Sequence, residues 1–200
     1  MAQVPIIQSW REAAQYLQNL KGTIQADVLP LLGLPGAAPF AISREVLSYI
    51  DHLGHLYSGR GQVGDRSREY LRQIMSRIDP NYCKRAGEIY YMYRCGPVHE
   101  FEPKILENKK GELLEWLCYK GHRKGTVELA GFKIAVVHLE PIGVSGTNRF
   151  CLPVSTQCLI EDLLSSIDEF QKAGPDNERV TAWNRAAREL ACPEPFDFVI

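Results

Sequence analysis

The stretch EIYYMYRCGPVHEFEPK, residues 88–104, holds the densest group of side chains that could do chemistry. Arg94 and His99 stand five residues apart in it, with Gly96 and Pro97 between them. On an uninterrupted helix, at about 100° per residue, the two side chains would point about 140° apart. Proline breaks the helical hydrogen-bond ladder and glycine tolerates the resulting backbone. We therefore expect this interruption to let Arg94 and His99 converge.

An arginine beside a histidine that titrates near neutral pH suits metal-independent phosphodiester chemistry. The guanidinium neutralises charge that develops on the phosphoryl group, and the imidazole moves a proton to or from a ribose hydroxyl. Tyr93 and Glu100 are candidates to orient the pair, and they and Lys104 are candidate nucleic-acid contacts. The pattern predicts contact with RNA or a nucleotide and calls for no cofactor and no metal.

A structural interpretation of the same residues stays open. Arg94 would bind Glu100 or Glu102, or cap carbonyl groups at the end of a helix, and His99 would fill a half-buried, hydrogen-bonded position. The neighbouring tyrosines are ambiguous in the same way. They could stack on bases, although the helical spacing of Tyr90 and Tyr93 favours a core or dimer contact.

Helices must position this segment, because apolar side chains recur three and four residues apart in four stretches before residue 95. Cap residues and turn signals place these helices at Ser9 to Gly22, Ser43 to Tyr57, Asp65 to Ile78 and 81–94. Between the first two, residues 27–40 carry three prolines and two glycines. That composition predicts a packed connector that breaks any longer helix.

Beyond Lys104 the pattern changes to short runs rich in β-branched and aromatic residues, which predict a small antiparallel sheet. These runs are residues 113–119, 126–130, 132–139 and 149–154. Helical periodicity returns from Ser155 to Gly174 and again at about 176–190, and the apolar tail after residue 190 is expected to dock on the body or on a neighbouring chain.

The predicted fold class is therefore mainly α, or α+β: a helical bundle with an inserted small antiparallel β-sheet. We expect one domain over residues 1–200. Its helical part spans 1–104, the inserted sheet 112–154 and the closing helices 155–190.

Composition excludes several classes of protein. The 200 residues carry 23 Lys and Arg against 24 Asp and Glu, a net charge of −1, which excludes a histone-like basic binder. A 45% share of hydrophobic residues excludes global disorder. No apolar run approaches the roughly 20 residues of a membrane span, and the first residues do not resemble a secretory signal. We expect a cytoplasmic protein without membrane contact.

Metal sites are not predicted elsewhere in the chain. The six cysteines include no CxxC pair and no short Cys/His cluster, so we expect reduced and mostly buried thiols. His52 and His55 are three residues apart and could pair with Asp51, but no third ligand is spaced to match, which favours core or surface histidines. Five basic residues flank the first strand and its turn, as a local positive patch or a solvated turn: Lys109, Lys110, Lys120, Arg123 and Lys124.

Arg-x4-His at a helix interruption, preceded by amphipathic helices that include SREVLSYIDHLGHLYSG, resembles the HEPN superfamily of helical-bundle domains. The motif of that superfamily is Arg, a polar residue, three further residues and His. Arg94 matches its arginine and His99 its histidine, while Cys95 stands at the polar position. Some HEPN toxins carry a modified tyrosine two residues after the histidine. Phe101 is found there, so the resemblance does not imply that modification.

The resemblance implies a helical homodimer, in which two Arg94 and His99 pairs would make a fuller site. The surrounding segment also resembles one in bacterial proteins of unassigned function, which implies a bacterial or viral source.

Two functional hypotheses stay open. The first is a metal-independent endoribonuclease or RNA-binding or nucleotide-binding protein of a defence or toxin type. The second is a non-catalytic binding module or assembly subunit, with an unknown protein partner, in which Arg94 and His99 are structural.

Overall fold

The computed structural model describes residues 3–33, 39–59, 63–94, 103–129, 131–174 and 177–191. Six α-helices lie within these ranges: α1 (Trp10–Gly33), α2 (Pro39–Ser58), α3 (Val63–Gln73), α4 (Asn81–Ile89), α5 (Thr156–Lys172) and α6 (Asn177–Ala191). A short 3-10 turn (Met75–Arg77) follows α3, and a π turn (Tyr90–Arg94) continues α4. The described part is mainly helical, with two small sheets, so the α+β prediction is confirmed.

The strands are β1 (Leu106–Glu107), β2 (Leu113–Tyr119), β3 (Lys124–Leu129), β4 (Phe132–Val137), β5 (Ile142–Gly143) and β6 (Arg149–Ser155). One sheet has the order β1-β2-β6-β5, and β3 and β4 form a separate antiparallel hairpin. The prediction of an antiparallel sheet is wrong at its centre, because β2 and β6 run parallel from Leu113 beside Arg149 to Tyr119 beside Ser155. Strand direction depends on how the intervening chain crosses the sheet, which the alternation of side chains within a strand does not encode.

Helix α1 continues past the predicted stop at Gly22 and ends at Gly33, with Pro30 in its last turns. Glycine in an exposed helix costs only about 1 kcal/mol. The apolar stripe of α1 continues beyond it and outweighs that cost, since Ile24 and Val28 are fully buried. The predicted break over residues 27–40 is therefore wrong as far as Gly33, and residues 34–38 lie outside the described residues.

Helix α2 begins at Pro39, so the prediction of Ser43 as its cap is wrong. Proline suits a first helical position because its missing N–H has no helical partner there. Ser43 instead lies inside the helix with its side chain fully buried. The cap predicted at Ser155 is confirmed: its hydroxyl oxygen accepts a hydrogen bond from the amide of Cys158 at 3.1 Å and begins α5.

The two ends of the described chain are packed together. The Trp10 indole donates to the carbonyl oxygen of Gln171 (2.9 Å), and Trp183 donates to that of Pro5 (2.9 Å). Asn184 in α6 both accepts from and donates to the backbone of Ile7. Aromatic rings fill the space between these helices at centroid separations of 5.4 to 6.4 Å: Trp10, Tyr16, Tyr57, Tyr70, Phe170 and Trp183.

The larger sheet is apolar on both faces. Trp116, Leu152 and Val154 pack against the helical core. On the opposite face, Leu117 and Tyr119 pack with residues of the β3–β4 hairpin. Alternate residues of a strand point to opposite sides, so β2 joins the helices to the hairpin.

A buried polar network ties the hairpin to the helices. Arg123, at the start of the hairpin, donates to both carboxylate oxygens of Asp162 in α5 (2.8 and 3.0 Å) and also binds Asp79. The Tyr82 hydroxyl, from α4, donates to Asp162 (2.9 Å) and lies 3.2 Å from His138 Nε2. Arg123 is therefore held by carboxylates within the protein. It does not belong to the local positive patch that the sequence predicted around this turn.

Hydrogen bonding assigns the tautomer of His138, which is fully buried. Its Nδ1 accepts the amide N–H of Ser155 at 3.0 Å, so the proton lies on Nε2 and points to the Tyr82 hydroxyl oxygen. Burial, helped by the positive charge of Arg123, lowers the pKa of His138 to about 3. Burial also raises the pKa of Asp162, although Arg123 opposes that shift.

The described helices include none with both the length and the apolar content that crossing a bilayer requires.

Two glycine substitutions test the helix packing. A Cβ on Gly54 would lie 2.5 Å from the backbone oxygen of Arg66, whereas one on Gly22 would meet no atom within 4 Å. We expect Gly54→Ala to lower the free energy of unfolding by about 1–3 kcal/mol because α2 and α3 must separate. Gly22→Ala should raise it by about 0.5–1 kcal/mol. Urea denaturation measures both, and a neutral Gly54→Ala would contradict the close approach.

A second prediction concerns pH. The unfolded chain binds a proton at His138 near pH 6.5 but the folded chain only near pH 3, so stability falls as pH decreases between these values. We expect His138→Gln to remove up to about 1.4 kcal/mol per pH unit from that slope. His52, whose pKa burial lowers to about 4, contributes equally to both proteins. Urea denaturation at several pH values gives the slopes, and identical slopes would refute the assignment.

Candidate nucleic-acid interface

The π turn contains two of the predicted site residues, Tyr93 and Arg94. α4 ends at Ile89, and Tyr90–Arg94 form the wider turn that follows it. Turns of this kind inside or beside α-helices are rare and are frequent at functional sites. Arg94 is the last residue that the structure describes in this turn, and the predicted interruption at Gly96 and Pro97 lies outside the described residues.

Met92 anchors the π turn to the protein. Its side chain is fully buried in the helical core. Its carbonyl oxygen accepts the amide N–H of Lys104 at 2.8 Å, which brings the chain back to the turn after residue 102. Lys104, a predicted nucleic-acid contact, is exposed beside the turn.

Arg68 from α3 lies over two tyrosines of the turn. Its guanidinium carbon is 5.5 Å from the ring centre of Tyr90 and 5.6 Å from that of Tyr91. The two rings meet at 74° with their centres 5.4 Å apart. Asp65 binds the guanidinium at 2.6 Å, and the carbonyl oxygen of Gly64 accepts a hydrogen bond from Arg68 Nε at 3.0 Å. Both cation–π contacts and hydrogen bonds therefore fix the Arg68 side chain.

Tyr91 offers a ring to solvent, since 48% of this residue is exposed. Tyr90 is half-buried, and a Cβ on Gly64 would lie only 3.0 Å from its hydroxyl oxygen, so α3 packs closely on this ring. Next to Arg68, α3 also carries a shallow depression of about 280 Å³ that is lined by Arg72 and Glu69. The surface combines one exposed aromatic ring with cationic and anionic side chains.

Several of the predicted site residues cannot be placed by this geometry. Cys95, His99, Glu100 and Phe101 lie outside the described residues, and so does the tail after Ala191. For Tyr93 and Arg94 the structure describes the backbone within the π turn. The convergence of Arg94 with His99 stays a prediction. Arg68 and Met92 were not found from sequence, because their roles depend on the packing of α3 against the turn.

The two histidines of α2 are held in internal contacts. His55 accepts a hydrogen bond from Arg66 at Nδ1 (3.1 Å), and its Nε2 lies 2.8 Å from Glu189. Arg66 also binds Asp51 at 2.5 and 3.1 Å, so that carboxylate already has a cationic partner. His52 faces the Tyr16 hydroxyl at 3.4 Å. In the described ranges, no group of three or more His, Cys, Asp or Glu side chains is arranged to hold a metal ion.

The cysteines agree in part with the expectation of buried thiols. Cys151 and Cys158 are buried, Cys118 is half-buried and Cys83 is exposed, all as free thiols. Burial raises the pKa of Cys151 and of Cys158, so these two thiols are poor nucleophiles.

Two substitutions within the π turn should distinguish the buried side chain that anchors the turn from the side chain that is exposed to solvent. We expect Met92→Ala to lower the free energy of unfolding by about 2–5 kcal/mol because it empties a buried position. Tyr91→Ala should cost less than about 1 kcal/mol, the loss of an exposed cation–π contact with Arg68. Chemical denaturation of both variants measures the difference. Equal losses would show that the exposed ring is also a structural element.

No protein-family model, curated protein or solved structure matches the chain. The resemblance of its Arg94 and His99 motif to the HEPN superfamily therefore stays a prediction, and function has to be inferred from the geometry.

Proposed function

We propose that the chain binds single-stranded RNA at the π turn and cleaves it without a metal ion. The observation that carries this proposal is the exposed ring of Tyr91, held under Arg68 and three residues before Arg94. Aromatic rings that reach solvent stack on unpaired bases whatever their sequence. A guanidinium fixed beside such a ring is well placed to meet a phosphate of the same strand.

Charge supports a local interface. The chain as a whole carries a net charge of −1, so a polyanion would be attracted only where cations cluster. Arg72 and Lys104 are exposed near the turn and add to Arg68. Asp65 and Glu69 neutralise part of this charge, which favours a short contact with one or two phosphates over a long basic track.

The cleavage step follows from the motif. The ribose 2′-oxygen would attack the adjacent phosphorus, forming a cyclic phosphate while the bond to the 5′-oxygen breaks. The proton leaves the 2′-hydroxyl and a proton is delivered to the departing 5′-oxygen, with His99 as the acid and base. Arg94 would stabilise the charge on the phosphoryl oxygens. Tyr93 and Glu100 would orient the pair.

The catalytic part is tested by RNA cleavage in EDTA with wild type, Arg94→Ala and His99→Ala. We expect each variant to lose about 10²-fold or more of the rate while its melting temperature is retained. Arg149→Ala is the matched control, since this exposed arginine lies on β6 and pairs with Glu115. Cleavage that survives His99→Ala would contradict the role of that residue. No cleavage by wild type would leave the non-catalytic binding hypothesis, in which the same surface holds RNA.

RNA binding is measured separately by fluorescence anisotropy with a labelled single-stranded RNA. Tyr91→Ala should weaken binding by about 1–3 kcal/mol, and Tyr91→Phe should retain it, because stacking needs the ring and not the hydroxyl. Phe132→Ala removes another exposed aromatic ring, at the tip of the β3–β4 hairpin, and serves as the control. Equal losses for Tyr91→Ala and Phe132→Ala would refute the placement of the interface.

A further inference from the structure

One edge of the Arg68 guanidinium is held by its own helix. Its Nε donates to the carbonyl oxygen of Gly64 at 3.0 Å, and its Nη2 donates to Asp65 Oδ1 at 2.6 Å. Nε and Nη2 lie along the same edge of this planar group. The rings of Tyr90 and Tyr91 also lie within 5.6 Å of the guanidinium carbon. These contacts restrict a side chain that is otherwise rich in rotamers.

A second edge of the same guanidinium is left open. Nη1 of Arg68 has no hydrogen-bond partner among the described residues, and 25% of the side chain is exposed. Nη1 and Nη2 together form the end of the guanidinium, which can donate two parallel hydrogen bonds to the oxygens of one phosphate. Asp65 and Gly64 therefore occupy one edge and leave a phosphate-binding edge accessible.

Net charge does not explain how this place would attract a phosphate. The charged side chains that line the depression on α3 are Arg68 and Arg72 against Asp65 and Glu69, so their charges cancel. Affinity of the depression for a phosphate must therefore come from donors that are already oriented. A side chain that is fixed before binding loses less conformational entropy when the ligand arrives.

We infer that Asp65 is a positioning residue for RNA, which holds Arg68 so that its open edge binds one phosphate while a base stacks on Tyr91. This inference rests on the proposed RNA binding but not on cleavage. Asp65 acts through Arg68 and does not itself contact the RNA. Removal of this negative charge should therefore weaken the binding of a polyanion, which is the opposite of what Coulomb repulsion alone predicts.

Fluorescence anisotropy with a fluorescein-labelled oligouridylate measures binding by the full chain. Asp65→Ala should weaken binding about threefold, the cost of ordering one long side chain. Asp65→Asn keeps an acceptor oxygen and should bind at least as tightly as the wild type. Glu69→Ala removes the same charge from the same depression and should tighten binding. Thermal melts check that each variant stays folded.

A double-mutant cycle tests whether Asp65 acts through Arg68. In the Arg68→Ala background, Asp65→Ala should no longer weaken binding, because no guanidinium remains to be positioned. Salt dependence supplies a second readout, since each phosphate contact of a single strand contributes about 0.7 to the slope of log K against log salt. Arg68→Ala should lower the slope by about this amount, and Tyr91→Ala should retain the slope because stacking releases no counterions.

Unchanged or tighter binding by Asp65→Ala would overturn this inference and leave the proposed RNA binding in place. Equal weakening by Asp65→Ala in the wild-type and Arg68→Ala backgrounds would also overturn it, because Asp65 would then act without Arg68. If the wild-type chain does not bind the oligouridylate at all, the proposed function itself is refuted, and the positioning role of Asp65 with it.

Discussion

The parallel pairing of β2 with β6 is the constraint on which the rest of the fold depends. Parallel neighbours cannot be joined by a tight turn, so the chain between Tyr119 and Arg149 must cross from one end of the pair to the other. The β3–β4 hairpin lies in that crossing and covers the outer face of the sheet. Because β6 leads directly into α5 at Ser155, the same pairing fixes where the closing helices begin.

The crossing is held by polar contacts rather than by a second large core, since the hairpin cluster buries only three apolar side chains in the described part of the chain. Arg123 joins the carboxylates of Asp79 and Asp162, and His138 links Tyr82 to the backbone of Ser155. Such a network gains little net stability, since desolvation offsets the Coulomb attraction. Its geometric demands nevertheless select one position of the hairpin, because each misplaced partner would leave a buried group unsatisfied.

The sequence correctly predicted those structural elements that depend on interactions between residues close together in the chain. The cap at Ser155, the positions of the longer strands and the helical content all follow from side-chain spacing and turn residues. The predicted helix stop at Gly22 was wrong because burial of the apolar side chains of α1 outweighs the weak helix-breaking preference of glycine. The predicted cap at Ser43 was wrong because α2 already begins at Pro39. The partners of Arg123 and the place of Arg68 over the π turn depend on contacts between distant segments. These segments are far apart in the sequence and come into contact only in the folded chain, so the spacing of residues does not predict the contacts.

The packing of the first residues on the last helices has a consequence for synthesis. Pro5 and Ile7 hydrogen-bond to Trp183 and Asn184, and Lys21 pairs with Asp168 at 2.8 Å. A ribosome makes α1 before α5 and α6. Helix α2 contacts α1 at Tyr16 and Asp27, but the side of α1 that packs on α5 stays uncovered until α5 has emerged from the exit tunnel. Closing so long a loop is entropically costly. α1 therefore completes its packing only after α5 and α6 have been made, and its side that faces α5 is the surface a chaperone would have to shield in the meantime.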